Sequence, residues 1–197
     1  KATGEPVQAV RLHYLPYRTN PFAQATPEFD ENGNVDGDQT RYQTNENGEY
    51  RLVGLPGPAV VGAESFALPF RYGVGFDALN VPTERDAAWQ TFFRNPVFPT
   101  AKWPNAVLPI DPPKDAESIT LDFQLDPGNS IEVRVVDESD MLVVGAELRG
   151  LTSRNRGAEI TEAKSYLATH LALGEDRTMI VHHKEKGIGQ VTRIGDD

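Results

Sequence analysis

Short runs of alternating apolar and polar residues, separated by turns rich in proline and glycine, recur along the whole chain. The clearest run covers residues 119–125, where Ile, Leu, Phe and Leu occupy every second position. Turn residues follow at 126–129, and a second alternating run covers 131–135. Period-two alternation is typical of strands that bury one face. The pattern therefore predicts two strands joined by a tight connection.

The same alternation recurs elsewhere, and only one segment, 84–93, has a helical pattern. Many short strands separated by turn signals favour an antiparallel sandwich over a parallel sheet with helices. We therefore expect an all-β fold. The further predicted strands are 7–15, 50–53, 59–65, 143–148, 165–169, 177–182 and 190–194.

Two landmarks occur twice in the same order, which indicates an internal repeat. A turn that leads into a strand is found at 6–9 and again at 143–146, and apolar runs begin at Tyr50 and Tyr166. The landmarks lie farther apart in the first copy. We therefore predict two tandem domains, 1–126 and 127–197, the first with long loop insertions at about 16–43 and 73–113.

These motifs resemble those of carboxypeptidase-regulatory-like modules, the prealbumin-like and Cna-B-type β-sandwiches of bacterial envelope proteins. The resemblance implies two tandem antiparallel, Ig-like sandwiches in an extracytoplasmic protein, periplasmic or on the cell surface, with other domains of the parent protein as partners. The matching segments are 4–10, 44–52, 54–57, 125–128 and 133–137.

The resemblance also implies that the first domain lacks a strand. In the family, a strand precedes the turn found here at 4–7, and no residue precedes Lys1 in this sequence. A missing strand would leave an open sheet edge, which invites pairing with another chain. We expect self-association through that edge or an internal cover, with 73–113 as the preferred cover.

Composition and charge exclude several classes of function. The chain carries 29 acidic and 19 basic residues, for a net charge of −10. That balance opposes nucleic-acid binding, which depends on neutralising phosphates. The absence of cysteine excludes disulfides and thiol nucleophiles. No apolar run has the length of a membrane span, so we expect no membrane insertion of this segment.

Catalytic motifs are missing from the sequence, so we predict a non-catalytic protein. There is no Gly-x-Ser-x-Gly elbow and no His-x-x-Glu zinc motif. His182 and His183 could suggest an iron site together with Tyr42 and Tyr72. Adjacent residues on a strand point to opposite faces, however, so the two histidines cannot readily ligate one metal. We expect one of them to be packed and the other solvated.

One polar loop resembles the start of a calcium-binding loop. Asp30, Asn32, Asn34 and Asp36 place oxygen side chains at alternating positions, but the twelfth position is Gln43 where a bidentate Glu is needed. The favoured interpretation is a solvated turn. We expect no cofactor, with calcium as the alternative.

Aromatic residues are concentrated in and beside the predicted insertions. Tyr17, Trp89, Phe92 and Trp103 could form a platform for a carbohydrate or a peptide. The favoured interpretation is that they pack the insertions onto the sandwich. The sequence thus predicts a structural or binding segment of a larger protein, with carbohydrate or peptide binding by loop aromatics as the alternative and a metal-dependent enzyme after that.

Overall fold

A computed structural model describes residues 4–26, 29, 42–65, 70–79, 104–152, 159–160 and 165–195. These residues form three antiparallel sheets with almost no helix, which confirms the all-β prediction. Within the described ranges, no helix is both long enough and apolar enough to cross a membrane. The chain divides into two compact units, Lys1–Leu68 with Tyr72–Asp126, and Pro69–Arg71 with Pro127–Asp197. The predicted domain limits and their tandem sandwich arrangement remain predictions.

The first unit is built on a three-stranded antiparallel sheet in which β1 (Arg11–Pro16), β2 (Ala59–Glu64) and β3 (Ala106–Ile110) lie side by side in that order. A short helix follows β1, and a single turn of 3-10 helix lies between β2 and β3. The short helix is α1 (Pro21–Ala25), and the 3-10 turn is Phe76–Ala78.

The central strand β2 is buried along its whole length. Its sequence is a continuous apolar run rather than an alternating one, as expected of a strand with both faces covered. On one face Val60 packs with Leu15, Leu79 and Val107. On the other face lie Ala59, Val61 and Ala63 with Val10, Leu12 and Tyr14 of the first strand region.

Two predicted strands of this unit, 50–53 and 119–125, are not strands in the structure. Tyr50, Leu121 and Phe123 of these runs are nevertheless partly buried against the core cluster that contains Val61, whereas Ile119 is 45% exposed. The Tyr50 hydroxyl donates to the carbonyl of Leu121 at 2.8 Å. Alternation thus identifies partly buried side chains, whereas a strand also needs a neighbouring backbone that forms a hydrogen-bonded ladder.

The region 73–113, expected to be a loop insertion, contains β3. Proline inside an apolar run argues against a central strand, which hid this strand in the sequence. The amide of Val107 donates outward, to the carbonyl of Val74 at 2.9 Å. Pro109 lies two residues further and therefore turns its nitrogen to the same outer side, where no donor is needed. β3 is thus a proline-protected edge strand.

The outer edge of β1 is covered by residues 42–44. The amide of Leu12 donates to the carbonyl of Tyr42 at 2.8 Å, and the amide of Thr44 donates to the carbonyl of Val10 at 3.0 Å. The expected cover of an open edge was 73–113, whereas the segment beside β1 is 42–44. The reason is chain proximity: the segment that returns towards β2 passes directly beside β1.

Two residues of the first strand region fix the turn at 54–58. The hydroxyl of Tyr14, which is fully buried, donates to the carbonyl of Leu55 at 3.0 Å and accepts from its amide at 3.1 Å. Asn20 caps α1 by accepting from the amides of Phe22 and Ala23. Its side-chain nitrogen donates to the carbonyls of Pro56 and Pro58.

The second unit contains a two-stranded sheet, β4-β7, and a four-stranded sheet, β6-β5-β8-β9. The strand β4 pairs with β7 and not with residues 119–125, which the sequence assigned to the preceding domain. The strands are β4 (Asn129–Val133), β5 (Glu147–Arg149), β6 (Glu159–Ile160), β7 (Tyr166–Leu171), β8 (Arg177–His183) and β9 (Ile188–Ile194).

The core of the second unit lies on one side of the four-stranded sheet. In β8, Met179 is fully buried, whereas its neighbour Ile180 is exposed. The buried cluster is Leu148, Leu151, Ala168 and Met179. The strands at 165–169, 177–182 and 190–194 were predicted from this alternation, and the structure confirms them with slightly different ends.

Candidate functional site

A buried acidic side chain lies on the sheet of the first unit. Glu64, at the end of β2, is 1% exposed, and its carboxylate lies 3.6 Å from the Nε2 atom of His13 on β1. The strand register explains the proximity, since His13 lies opposite Gly62 and is therefore a diagonal neighbour of Glu64. The two side chains share one face of the sheet.

The space around this pair is filled by close packing. A side chain at Gly62 would place its Cβ atom 2.6 Å from Cγ of Pro104, so the proline ring fills the space above the glycine. The next residue, Asn105, is 1% exposed and accepts from the amide of Ser65 at 2.7 Å. Residues 104–105 thus hold the end of β2 beside β3.

The chemistry available here is that of an acid paired with a base. A buried carboxylate is costly unless it has a cation or donors beside it. An imidazolium at His13 would supply such a charge, since its Nε2 atom lies 3.6 Å from the Glu64 carboxylate. Because Glu64 is enclosed by the sheet, a substrate would have to reach the pair through His13, which is 20% exposed. We therefore assign the pair a role in fixing β1 against β2.

A second polar cluster lies in the other unit and uses backbone acceptors. The guanidinium of Arg177, which is 8% exposed, donates to the carbonyls of Thr169 at 2.6 Å and His170 at 2.9 Å. His170 adopts a left-handed φ of 63°, which is uncommon for residues other than glycine. Arg177 thus fixes the strained end of β7. Burial lowers the pKa of both side chains, and the Arg177 cation lowers the pKa of His170 further.

The adjacent histidines behave as the strand geometry predicted. His182 is exposed and His183 is buried. A ring nitrogen of His183 lies 3.2 Å from the carbonyl of Val144, a backbone contact inside the second unit. Among the described residues, no group of three or more His, Cys, Asp and Glu side chains could hold a metal ion.

Of the predicted ligand-binding aromatics, Tyr17 lies in the described part of the chain. It packs against the cluster of Leu15, Val60, Leu79 and Val107, and burial raises its pKa. This position agrees with the packing interpretation. Trp89, Phe92 and Trp103 lie outside the described residues, and so do the predicted calcium ligands Asp30, Asn32, Asn34 and Asp36.

The strand β9 is exposed along almost its whole length. Six of its seven residues are exposed, and β8 is its one neighbour among the described strands. Val191 is 68% exposed and faces Ile180 of β8, which is 44% exposed. Ile188 at the start of β9 is 55% exposed. We call β9 together with Ile180 the β9 surface.

Charged and polar residues surround the apolar centre of the β9 surface. The register places Arg149 of β5 beside Ile180, so Arg149, Ile180 and Val191 form one row across the sheet. The neighbouring row contains Glu147, His182 and Gly189. An apolar centre with a polar rim and an open backbone edge is typical of a surface that binds a polypeptide.

The sequence did not indicate Glu64 or the β9 surface as candidate sites. Among the buried polar residues discussed, Asn20 alone lies in a sequence pattern that predicts its role. The alternating pattern of β9 predicts a strand but does not show which strands lie beside it. Nothing in the sequence around Glu64 distinguishes it from a solvated strand end. Asn20, in contrast, directly precedes a proline at the first helical position, which is a recognised helix-start pattern.

Comparisons with family models, with curated proteins and with solved structures found no match to this chain. The resemblance to carboxypeptidase-regulatory-like modules therefore still depends on the motifs alone.

Proposed function

We propose that the chain is a non-catalytic binding segment of a larger, extracytoplasmic bacterial protein, that its two units are β-sandwiches, and that it binds extended polypeptide along β9. The observation that supports this site is the edge position of β9. Within the described residues β8 is its one neighbouring strand, and six of its seven residues are exposed. Edge strands present backbone donors and acceptors that an added strand can use.

The side chains on β9 favour an extended strand as the ligand. Ile188 and Val191 offer apolar contacts, and Gln190 and Thr192 offer polar ones. Main-chain hydrogen bonds would supply affinity, and the alternating side chains would supply selectivity. A carbohydrate platform receives less support, because the one described member of the predicted aromatic set, Tyr17, packs against the core.

A peptide titration followed by NMR tests the proposal. The probe is a synthetic peptide of alternating Thr and Val with a Lys at each end. The matched control has prolines at two adjacent central positions, which remove amide donors on both edges of the strand. We expect saturable shifts of β9 resonances with the first peptide, smaller ones with the control, and none in β2. Absent β9 shifts, or equal shifts with both peptides, would contradict the proposal.

A further inference from the structure

Apart from Gly189 and Arg193, the side chains of β9 are arranged symmetrically about the middle of the strand. Its seven residues run from Ile188 to Ile194, and Val191 lies at the centre. Ile188 and Ile194 are the two ends, and a polar pair lies inside them at Gln190 and Thr192. From these observations we infer that β9 pairs with β9 of a second copy of this chain, antiparallel, about a two-fold axis through Val191. The inference rests on the proposed function and names the partner.

The symmetric register matches each side chain with a compatible one. Val191 would face its own copy, Ile188 would face Ile194, and Gln190 would face Thr192. Arg193, the one charged residue in β9, would face Gly189, which has no side chain. Like charges directly opposite each other destabilise a strand pair, and this register has none.

Other registers fit less well. A two-fold axis perpendicular to the sheet keeps each face on the same side, so residues that face each other must share a face. The two-fold axis must therefore pass through a residue of β9 and cannot pass between two residues. A centre at Gln190 or Thr192 would leave β9 residues without an opposite β9 residue. Only the centre at Val191 pairs all seven residues of the strand.

The pairing would also extend the apolar row on the outer face of the sheet. Ile180 and Val191 of one copy would continue into Val191 and Ile180 of the other. Arg149 lies at the outer end of the row in each copy. Two exposed apolar residues per chain would therefore form one continuous patch, which removes apolar surface from water.

The net charge opposes association at long range. Each copy carries a net charge of −10, and salt screens such repulsion beyond about 8 Å at physiological ionic strength. Pairing should therefore strengthen as salt is raised. Sedimentation of the unmodified chain over about 1 μM to 1 mM would detect an equilibrium in the range where such weak contacts fall.

Because the chain has no cysteine, single cysteine substitutions can report the register. Facing residues in an antiparallel pair have Cα atoms about 4.5–5.5 Å apart, which suits a disulfide. Val191→Cys should form a linked dimer on mild oxidation. Ile188→Cys is the matched control, since it is also exposed but its copies would lie about 20 Å apart. We expect about tenfold more dimer from Val191→Cys, owing to its higher effective concentration.

A mixture of two cysteine variants tests which residues of the two β9 strands face each other. Gln190→Cys mixed with Thr192→Cys should give the linked heterodimer in excess over either homodimer. Val191→Lys should abolish the association seen by sedimentation, because two lysines would face each other, whereas Val191→Thr should retain it. Gln190 and Thr192 are both exposed, so neither cysteine substitution should affect folding.

Equal crosslinking of Val191→Cys and Ile188→Cys would indicate random collision and overturn the inference, and so would a monomer at every concentration. The proposed function can fail separately. If the chain stays monomeric while the Thr-Val peptide still shifts β9, the second copy is the wrong partner and the binding edge stands. If neither a second copy nor the peptide engages β9, both are wrong.

Discussion

In the first unit, β2 is buried on both faces, and backbone segments at 42–44 and at Val74 cover parts of the two outer edges of its sheet. In the second unit, β8 buries one face, and β9 beyond it is exposed on both. The first sheet therefore uses its apolar residues to stabilise the fold. The second sheet retains exposed apolar residues at Ile180, Ile188 and Val191, and its β9 edge is the binding site that we propose.

Truncating neighbouring residues in each central strand should give the largest effects. Met179→Ala in β8 should lower the free energy of unfolding by about 2–5 kcal/mol, because Met179 is fully buried, whereas Ile180→Ala should change it by less than about 0.5 kcal/mol. In β2, Val60→Ala and Val61→Ala should each cost on the order of 2 kcal/mol.

Urea-induced unfolding followed by circular dichroism measures these four variants. The contrast is between strands, since neighbours on β2 should behave alike and neighbours on β8 should differ. A large loss for Ile180→Ala would mean that the outer face of the second sheet is already covered within one chain.

Adding a methyl group at Gly62, beside Pro104, should lower the free energy of unfolding by an intermediate amount. Gly62→Ala would place a methyl group 2.6 Å from the proline ring, so we expect a loss of about 1–3 kcal/mol. The double variant Gly62→Ala with Pro104→Ala should lose less than the sum of the two single variants, because the ring that clashes is gone. Strict additivity in the same unfolding assay would show that the two residues are not coupled.

The sequence was sufficient to predict β2, β7, β8 and β9 as strands. β7 and β8 bury one face as alternation predicts, and β2 is an apolar run from Ala59 to Ala63, whereas β9 is a strand with neither face buried. Alternation could not predict β3, since Pro109 hides an edge strand, or the missing ladder at 119–125. The β9 surface depends on which strands become neighbours, and that is a property of the whole sheet. For the same reason the sequence did not single out Glu64, whose partner comes from another strand.

Stability should depend on pH differently in the two units, with the smallest effects of those considered. In the second unit, burial and then Arg177 lower the pKa of His170 below its usual 6.5. As the pH falls, His170 therefore takes up its proton at a higher pH in the unfolded chain than in the folded chain. Stability from this group is complete above pH 6.5 and is lost as the pH falls through the lowered pKa.

In the first unit, burial and then Asp122 raise the pKa of Tyr50 from 10.0 to about 12. Here the folded chain retains its proton longer, so stability is complete below pH 10 and is lost as the pH rises towards 12. Melting temperature against pH measures both slopes. His170→Asn, which tolerates the left-handed φ, should flatten the acid side, and Tyr50→Phe should flatten the alkaline side. Curves parallel to the unsubstituted chain would contradict these assignments.

Amide hydrogen exchange at several protein concentrations tests the central contrast most directly. In dilute solution we expect strong protection throughout β2 and weak protection of the β9 amides that point away from β8. As concentration rises, protection of those β9 amides should increase while that of β2 stays constant. Equal protection of β9 at every concentration would contradict the claim that the second sheet has an open edge that another copy covers.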